Sequence, residues 1–99
     1  MFFGDDLNAD EALRIGLVSK VVPGDQLVAT ARECAERLAK APTFAIGMSK
    51  RLLNRSLECS FETALEEEAL AQTLVTHSED TREGMLAFME RRTPQFKGR

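Results

Sequence analysis

Residues 78–99, SEDTREGMLAFMERRTPQFKGR, predict a capped amphipathic helix followed by a short basic and aromatic tail. Ser78 has the side chain of an N-cap, and Glu79 and Asp80 follow it where the helix dipole favours negative charge. Arg91 and Arg92 fall in the predicted last turn, where the dipole favours cations. The stretch therefore predicts one helix that carries a basic pair at its end.

Phe88 and Arg91 are the candidate binding residues of this helix. At about 100° per residue, one apolar stripe is formed by Met85, Leu86 and Met89. Phe88 lies at the edge of the stripe, on the same side as Arg91 three residues later. An aromatic ring beside a guanidinium can hold a flat heterocycle and its phosphate. A second interpretation is that Phe88 is an ordinary core residue and that the arginines only complement the dipole, so these residues alone leave both interpretations open.

The length and composition predict one small domain over residues 1–99. A chain of 99 residues buries about 65% of the surface that it exposes when unfolded. It is 43% hydrophobic and 29% charged, which is typical of a helical globular protein. The net charge of -3 argues against a nucleic-acid partner, because the basic tail on an acidic domain would support only salt-sensitive, nonspecific contact.

Metal, membrane and secretory functions are not indicated. Cys34 and Cys59 lie in predicted helices without CxxC or His-rich spacing, so we expect reduced thiols and no metal site. No apolar run approaches the ~20 residues that a membrane helix needs, and the N-terminus lacks the regions of a signal peptide. We therefore expect no membrane partner and a cytoplasmic location.

No catalytic residue is predicted in this chain. The sequence contains no set of nucleophile, base and orienting group, and no glycine loop that could cradle a phosphate. Glu66, Glu67 and Glu68 are consecutive, so on a helix they point about 100° apart and form a solvated face. His77 falls at the end of a predicted helix, where an imidazolium suits the dipole.

The predicted fold class is mainly α, a small bundle of about five helices with a short extended N-terminal segment. Asn8 and Glu11 resemble a capping box for the first helix, which Gly16 ends. Met1–Gly4 is interpreted as the end of a strand that began before this chain, and residues 17–22 as the extended segment. The first residues therefore predict a truncated start.

Three longer helices are predicted before the last one. Asp25 opens the first, which reaches about Lys40 and is half solvated. Thr43 is interpreted as the cap of the second, which runs to about Ser56. Ser60 caps the third, which runs from Phe61 to about His77, and its apolar residues are spread around the axis. Such a helix needs partners on two sides.

The motif ADEALRIGLVSKVVPGDQL at residues 9–27 resembles a segment of the enoyl-CoA hydratase/isomerase (crotonase) superfamily, A-x-E-A-x-x-x-G-L-V-x-x-V-V-P-x-x-x-L. The resemblance continues through APTFA at 41–45, Ser49-Lys50 and Leu53-Asn54, and through SEDTREG, AF and ERRTPQFKG between 78 and 98. It covers essentially the whole chain. It corresponds to the C-terminal helical domain of such an enzyme.

The resemblance implies an acyl-CoA substrate, with coenzyme A as part of that substrate and no separate cofactor. It implies a parent that is a trimer or hexamer and acts through an enolate held in an oxyanion hole, whose donors and glutamates lie upstream. Phe88 and Arg91 align with positions that approach the CoA adenine and phosphates. An aromatic residue of some members corresponds to Gln72 here.

The resemblance therefore implies the CoA-contacting and oligomerisation region of a hydratase or isomerase, a lyase or isomerase of fatty acid metabolism that is inactive as this chain alone. A stand-alone helical interaction module without enzymatic activity is the alternative.

Overall fold

A computed structural model describes residues 4–99. Within these residues the chain forms five α-helices, α1 Ala9–Arg14, α2 Leu27–Ala39, α3 Thr43–Arg55, α4 Phe61–Thr76 and α5 Glu79–Glu90. The predicted mainly α class is confirmed. Residues 17–22, predicted as an extended segment, are a non-helical connection and form no β-sheet pairing with any other described residue. Residues 1–3 of the strand predicted at the N-terminus lie outside the described residues, and Gly4 belongs to no strand.

The chain divides into two compact units within α2, the first up to Cys34 and the second Ala35–Arg99. In the first unit, Oδ1 of Asn8 accepts the amide of Glu11 at 2.9 Å, so the predicted N-cap is confirmed. The Glu11 carboxylate does not return this bond. Its two oxygens pair instead with the Arg14 guanidinium at 2.5 and 2.8 Å, in the bidentate geometry that favours an arginine–carboxylate pair.

The starts of α2 and α3 differ from the prediction. Asp25 lies in a single 3₁₀ turn, Gly24–Gln26, and α2 begins after it. The predicted Thr43 cap is wrong, because Thr43 is already helical and Pro42 occupies the N-cap with φ -69° and ψ 80°. The proline ring sets that φ and places the change of backbone direction one residue earlier.

The two serine caps are confirmed. Oγ of Ser60 accepts the Thr63 amide at 3.2 Å, and Oγ of Ser78 accepts the Thr81 amide at 3.1 Å. These bonds satisfy amides that the first turns of α4 and α5 would otherwise leave without acceptors. The N-terminal starts of both helices therefore follow from their capping residues.

The second unit packs α3 on α4 and α4 on α5. The buried apolar side chains of this unit, among the described residues, are the alanines Ala71 and Ala87. Met48 and Leu52 of α3 are half-buried, and with Leu70 and Leu74 of α4 they line a groove of about 310 Å³. The large apolar side chains therefore lie at the edges of the packed helices.

Within residues 4–99, every helix is too short or too polar to span a bilayer.

Candidate functional site

The C-terminal tail, residues 92–99, folds back along α5 and is held by a buried carboxylate. Asp80 is 4% exposed. Its Oδ1 accepts the Lys97 amide at 2.6 Å and its Oδ2 accepts the Gly98 amide at 2.8 Å. The Asp80 amide donates in turn to the Arg99 carbonyl at 3.0 Å. These bonds fix the end of the tail on the first turn of α5.

Glu83 holds the nearer part of the tail, one turn along the same helix. Its Oε1 accepts the Gln95 amide at 2.7 Å, and its two oxygens bind the Arg92 guanidinium at 2.5 and 2.9 Å. Nε of Arg92 also donates to Glu90 at 2.6 Å. The Arg92 guanidinium and the Gln95 amide lower the pKa of Glu83 from 4.5 to about 2. The bonds to Glu83 and Glu90 raise the pKa of Arg92.

Phe96 supplies the apolar part of this arrangement. Gly84 lies directly beneath it, because a Cβ placed at Gly84 would lie 3.7 Å from Cε1 of the ring. That separation is an ordinary van der Waals contact, so the ring packs on the surface of α5 at Gly84. We name the arrangement formed by Asp80, Glu83 and Gly84 with residues 92–99 the tail clasp.

The turn that leads from α5 into the tail is left-handed. The prediction that both arginines lie in the last turn is wrong, because α5 ends at Glu90 and Arg91 has φ 55° and ψ 39°. The amide of Arg91 donates to the Phe88 carbonyl at 3.3 Å, and the amide of Arg92 donates to the Ala87 carbonyl at 3.0 Å. This backbone region is unfavourable for a residue with a Cβ by roughly 1–2 kcal/mol, so contacts of the turn must compensate.

The two arginines have different surroundings. Arg92 is paired with Glu83 and Glu90, whereas among residues 4–99 no ion pair involves Arg91. Arg91 is exposed. Its charge is therefore available to a ligand, and that of Arg92 is balanced within the chain.

Phe88 is 85% exposed, so the interpretation of this ring as a core residue of the chain is wrong. Met85 and Met89 of the predicted stripe are also exposed, at 55% and 70%. An amphipathic helix normally buries its apolar stripe, but α5 buries Ala87 and Asp80 instead. The exposed surface of α5 therefore presents an aromatic ring and two methionines, and the helix is followed by Arg91, which forms no ion pair within residues 4–99.

Two other positions that the sequence singled out, His77 and Gln72, lie on or at the end of α4. Nδ1 of His77, at the C-terminal end of α4, lies 2.7 Å from the Thr73 carbonyl. Gln72 is exposed on α4. In the described part of the chain, no three His, Cys, Asp or Glu side chains are grouped as metal ligands would be.

Known proteins resemble this chain over its whole length. The family model described as enoyl-CoA hydratase/isomerase matches residues 1–99. The chain belongs to this family. Among its relatives in the enoyl-CoA hydratase/isomerase family is the short-chain-enoyl-CoA hydratase of Clostridium acetobutylicum, which is 41% identical over 102 residues. That match covers 100% of this chain and 38% of the relative.

Further members of the family agree with this assignment. The 1,2-epoxyphenylacetyl-CoA isomerase of Escherichia coli is 38% identical, with 97% of this chain and 37% of that protein covered. The crystal structure of a putative enoyl-CoA hydratase from Streptomyces coelicolor superposes with a TM-score of 0.95 at 37% identity, covering 100% of this chain and 36% of that chain. The chain thus spans less than two fifths of the length of these enoyl-CoA hydratase/isomerase proteins and corresponds to their C-terminal part.

The tail clasp is the feature that sequence reasoning missed. The prediction from the sequence gives Asp80 only a favourable interaction with the helix dipole, and it gives Glu83 no role. The available signal was the spacing of Asp80, Glu83 and Gly84 on one side of a helix, followed by a short tail after Pro94. Acceptors three residues apart share a helix face and can bind successive amides of an extended segment.

Proposed function

We propose that this chain is the CoA-contacting and oligomerisation region of an acyl-CoA hydratase or isomerase. In this proposal Phe88 contacts the adenine ring of coenzyme A and Arg91 contacts a phosphate. The observation that carries the proposal is the 85% exposed Phe88 ring, three residues before an exposed arginine that no carboxylate of residues 4–99 neutralises.

The chemistry of coenzyme A fits these two side chains. Its adenine presents a flat aromatic face that can stack on Phe88, and its phosphates are anions that a guanidinium binds through charge-assisted hydrogen bonds. Coenzyme A is then part of the substrate, and no separate cofactor is required. Membership of the enoyl-CoA hydratase/isomerase family supports this choice of ligand.

The thioester chemistry is assigned to the parts of the parent enzyme that this chain does not cover. An oxyanion hole there would stabilise the charge that develops on the thioester oxygen, and acid and base groups would select hydration or isomerisation. The present residues supply binding at a distance from the reacting carbon. The chain alone is accordingly expected to be inactive.

The oligomerisation part of the proposal rests on uncovered apolar side chains. Leu70 and Leu74 on α4 are 68% and 56% exposed, and Leu27 and Val28 on α2 are 60% and 72% exposed. Full burial of one leucine is worth about 1.5–3 kcal/mol, so several such residues can stabilise an assembly. We propose that the rest of the parent and neighbouring subunits of a trimer or hexamer cover them.

The test is a kinetic comparison in the full-length enzyme with crotonyl-CoA. Arg91→Ala should raise the apparent KM roughly tenfold and change kcat little, because a remote contact binds ground state and transition state alike. Arg82→Ala, which removes an exposed arginine within α5, is the matched control and should leave KM unchanged. Equal KM values for the wild type and Arg91→Ala would contradict the proposal.

A further inference from the structure

We propose that Glu83 is a positioning residue for the CoA contact. Its ion pair with Arg92 stabilises the left-handed turn at Arg91 and keeps the Arg91 guanidinium free for the phosphate. This inference rests on the proposed function of Arg91, and it assigns a separate role to residues that do not touch the ligand.

The backbone at Arg91 needs support from neighbouring side chains. Arg91 has φ 55°, a conformation that a glycine would adopt without strain and an arginine adopts at a cost. The two backbone bonds of the turn can form with any sequence. The side-chain bonds that secure it here come from Arg92, which binds Glu83 at 2.5 and 2.9 Å and Glu90 at 2.6 Å. Arg92 thereby ties the residue after the turn to two positions on α5.

The charges around the turn are distributed unequally between the two arginines. Arg91 and Arg92 are adjacent cations, and Glu83 and Glu90 are the carboxylates paired with one of them. If Arg92 were absent, Glu90 at the end of α5 and Glu83 in its middle would both lose their guanidinium partner. They could then attract Arg91, and an arginine paired with a carboxylate is a weaker phosphate ligand. The pair with Arg92 therefore keeps Arg91 available.

Glu83 also holds the first part of the tail. It accepts the Gln95 amide at 2.7 Å, so one carboxylate holds both the guanidinium of Arg92 and the backbone three residues beyond it. The chain from the turn to Gln95 is thus fixed against α5. Loss of this carboxylate would release the turn and the first part of the tail together.

The experiment is a double-mutant cycle in the full-length enzyme, measured as KM and kcat with crotonyl-CoA. Glu83→Gln should raise KM about three- to tenfold with kcat within about twofold, and it should raise KM no further in an Arg91→Ala background. Arg92→Ala removes the pair from the other side and should give the same KM effect and the same lack of additivity. Arg92→Lys retains one ion pair and should restore part of the loss.

Glu79→Gln is the matched control, since it makes the same charge change on α5. Glu79 lies 3.3 Å from Arg99 and pairs with the far end of the tail, away from Arg92. It should leave KM unchanged. KM effects of Glu83→Gln and Arg91→Ala that multiply, or a Glu83→Gln variant that loses kcat with KM unchanged, would overturn the inference.

The two proposals fail in different ways. If Arg91→Ala leaves KM unchanged, the proposed function itself is wrong, and this inference falls with it. If Arg91→Ala raises KM while Glu83→Gln and Arg92→Ala have no effect, the CoA contact stands and the positioning role is wrong.

Discussion

The amide of Gly98 donates a 2.8 Å hydrogen bond to Oδ2 of Asp80, which joins the end of the tail to the first turn of α5. Gly98 has φ 75°, and a Cβ at this position would collide with Oγ1 of Thr43 at the start of α3. One glycine therefore connects the tail to two helices. The tail clasp is part of the packing of the second unit and not a loose appendage.

Replacing Asp80 tests this packing role. Asp80→Ala leaves the Lys97 and Gly98 amides without their acceptor, and bonds to a charged group are worth about 1.5–3 kcal/mol each. We expect the free energy of unfolding to fall by about 2–4 kcal/mol, measured by urea denaturation. Glu79→Ala, at the neighbouring exposed position, should have little effect. Equal stability of the two variants would show that the clasp does not support the fold.

Acid should weaken the clasp through Glu83. The carboxyl titrates near 4.5 when unfolded and near 2 when it faces Arg92, Lys97 and the Gln95 amide. The folded state therefore binds fewer protons over this range, so the stabilisation is complete above about pH 4.5 and is lost as the pH falls towards 2. The Glu83→Gln variant should be less stable than the wild type at pH 7. Its free energy of unfolding should fall less between these pH values.

Denaturation of both proteins across that pH range measures the difference, and an NMR titration of the Glu83 carboxyl carbon gives its pKa directly. A pKa near 4.5, or parallel pH profiles for the wild type and Glu83→Gln, would show that the ion pair with Arg92 does not stabilise the folded state.

Local chemistry made much of this fold predictable. Ser60 and Ser78 each precede a threonine amide at the third position, so the sequence alone predicts where α4 and α5 begin. The predicted helix cap at Thr43 is wrong because the proline before it imposes its own backbone angle. The tail clasp was not predictable from local pattern, since the bond from Gly98 to Asp80 joins residues that are 18 positions apart.

The exposure of the candidate site was not predictable from the sequence. Periodicity predicts Phe88 and Arg91 on one side of the last helix, yet it could not show whether that side faces the core or solvent. That outcome depends on which helices cover α5. Periodicity also could not distinguish the surroundings of Arg91 from those of Arg92, because the difference arises from the left-handed turn and from Glu83.

Self-association is expected of the isolated chain. Leu70 and Leu74 line a groove with α3 but are 68% and 56% exposed, which leaves an apolar surface on α4. Sedimentation should show larger species as concentration rises, and Leu70→Lys and Leu74→Lys should suppress them. Lys50→Glu, an exposed polar change on α3, is the control and should not suppress them. A chain that stays monomeric, with lysine variants that unfold, would place both leucines in an internal core.

The central claim is that Phe88 and Arg91 bind the adenosine and phosphate end of an acyl-CoA. Crotonyl-pantetheine carries the same reacting thioester without that end, so its binding should not depend on either residue. The decisive measurement is the ratio of kcat/KM for crotonyl-CoA to kcat/KM for crotonyl-pantetheine in the full-length enzyme. Arg91→Ala and Phe88→Ala should each lower this ratio by roughly tenfold, through crotonyl-CoA alone. A ratio that is unchanged in both variants would contradict the account.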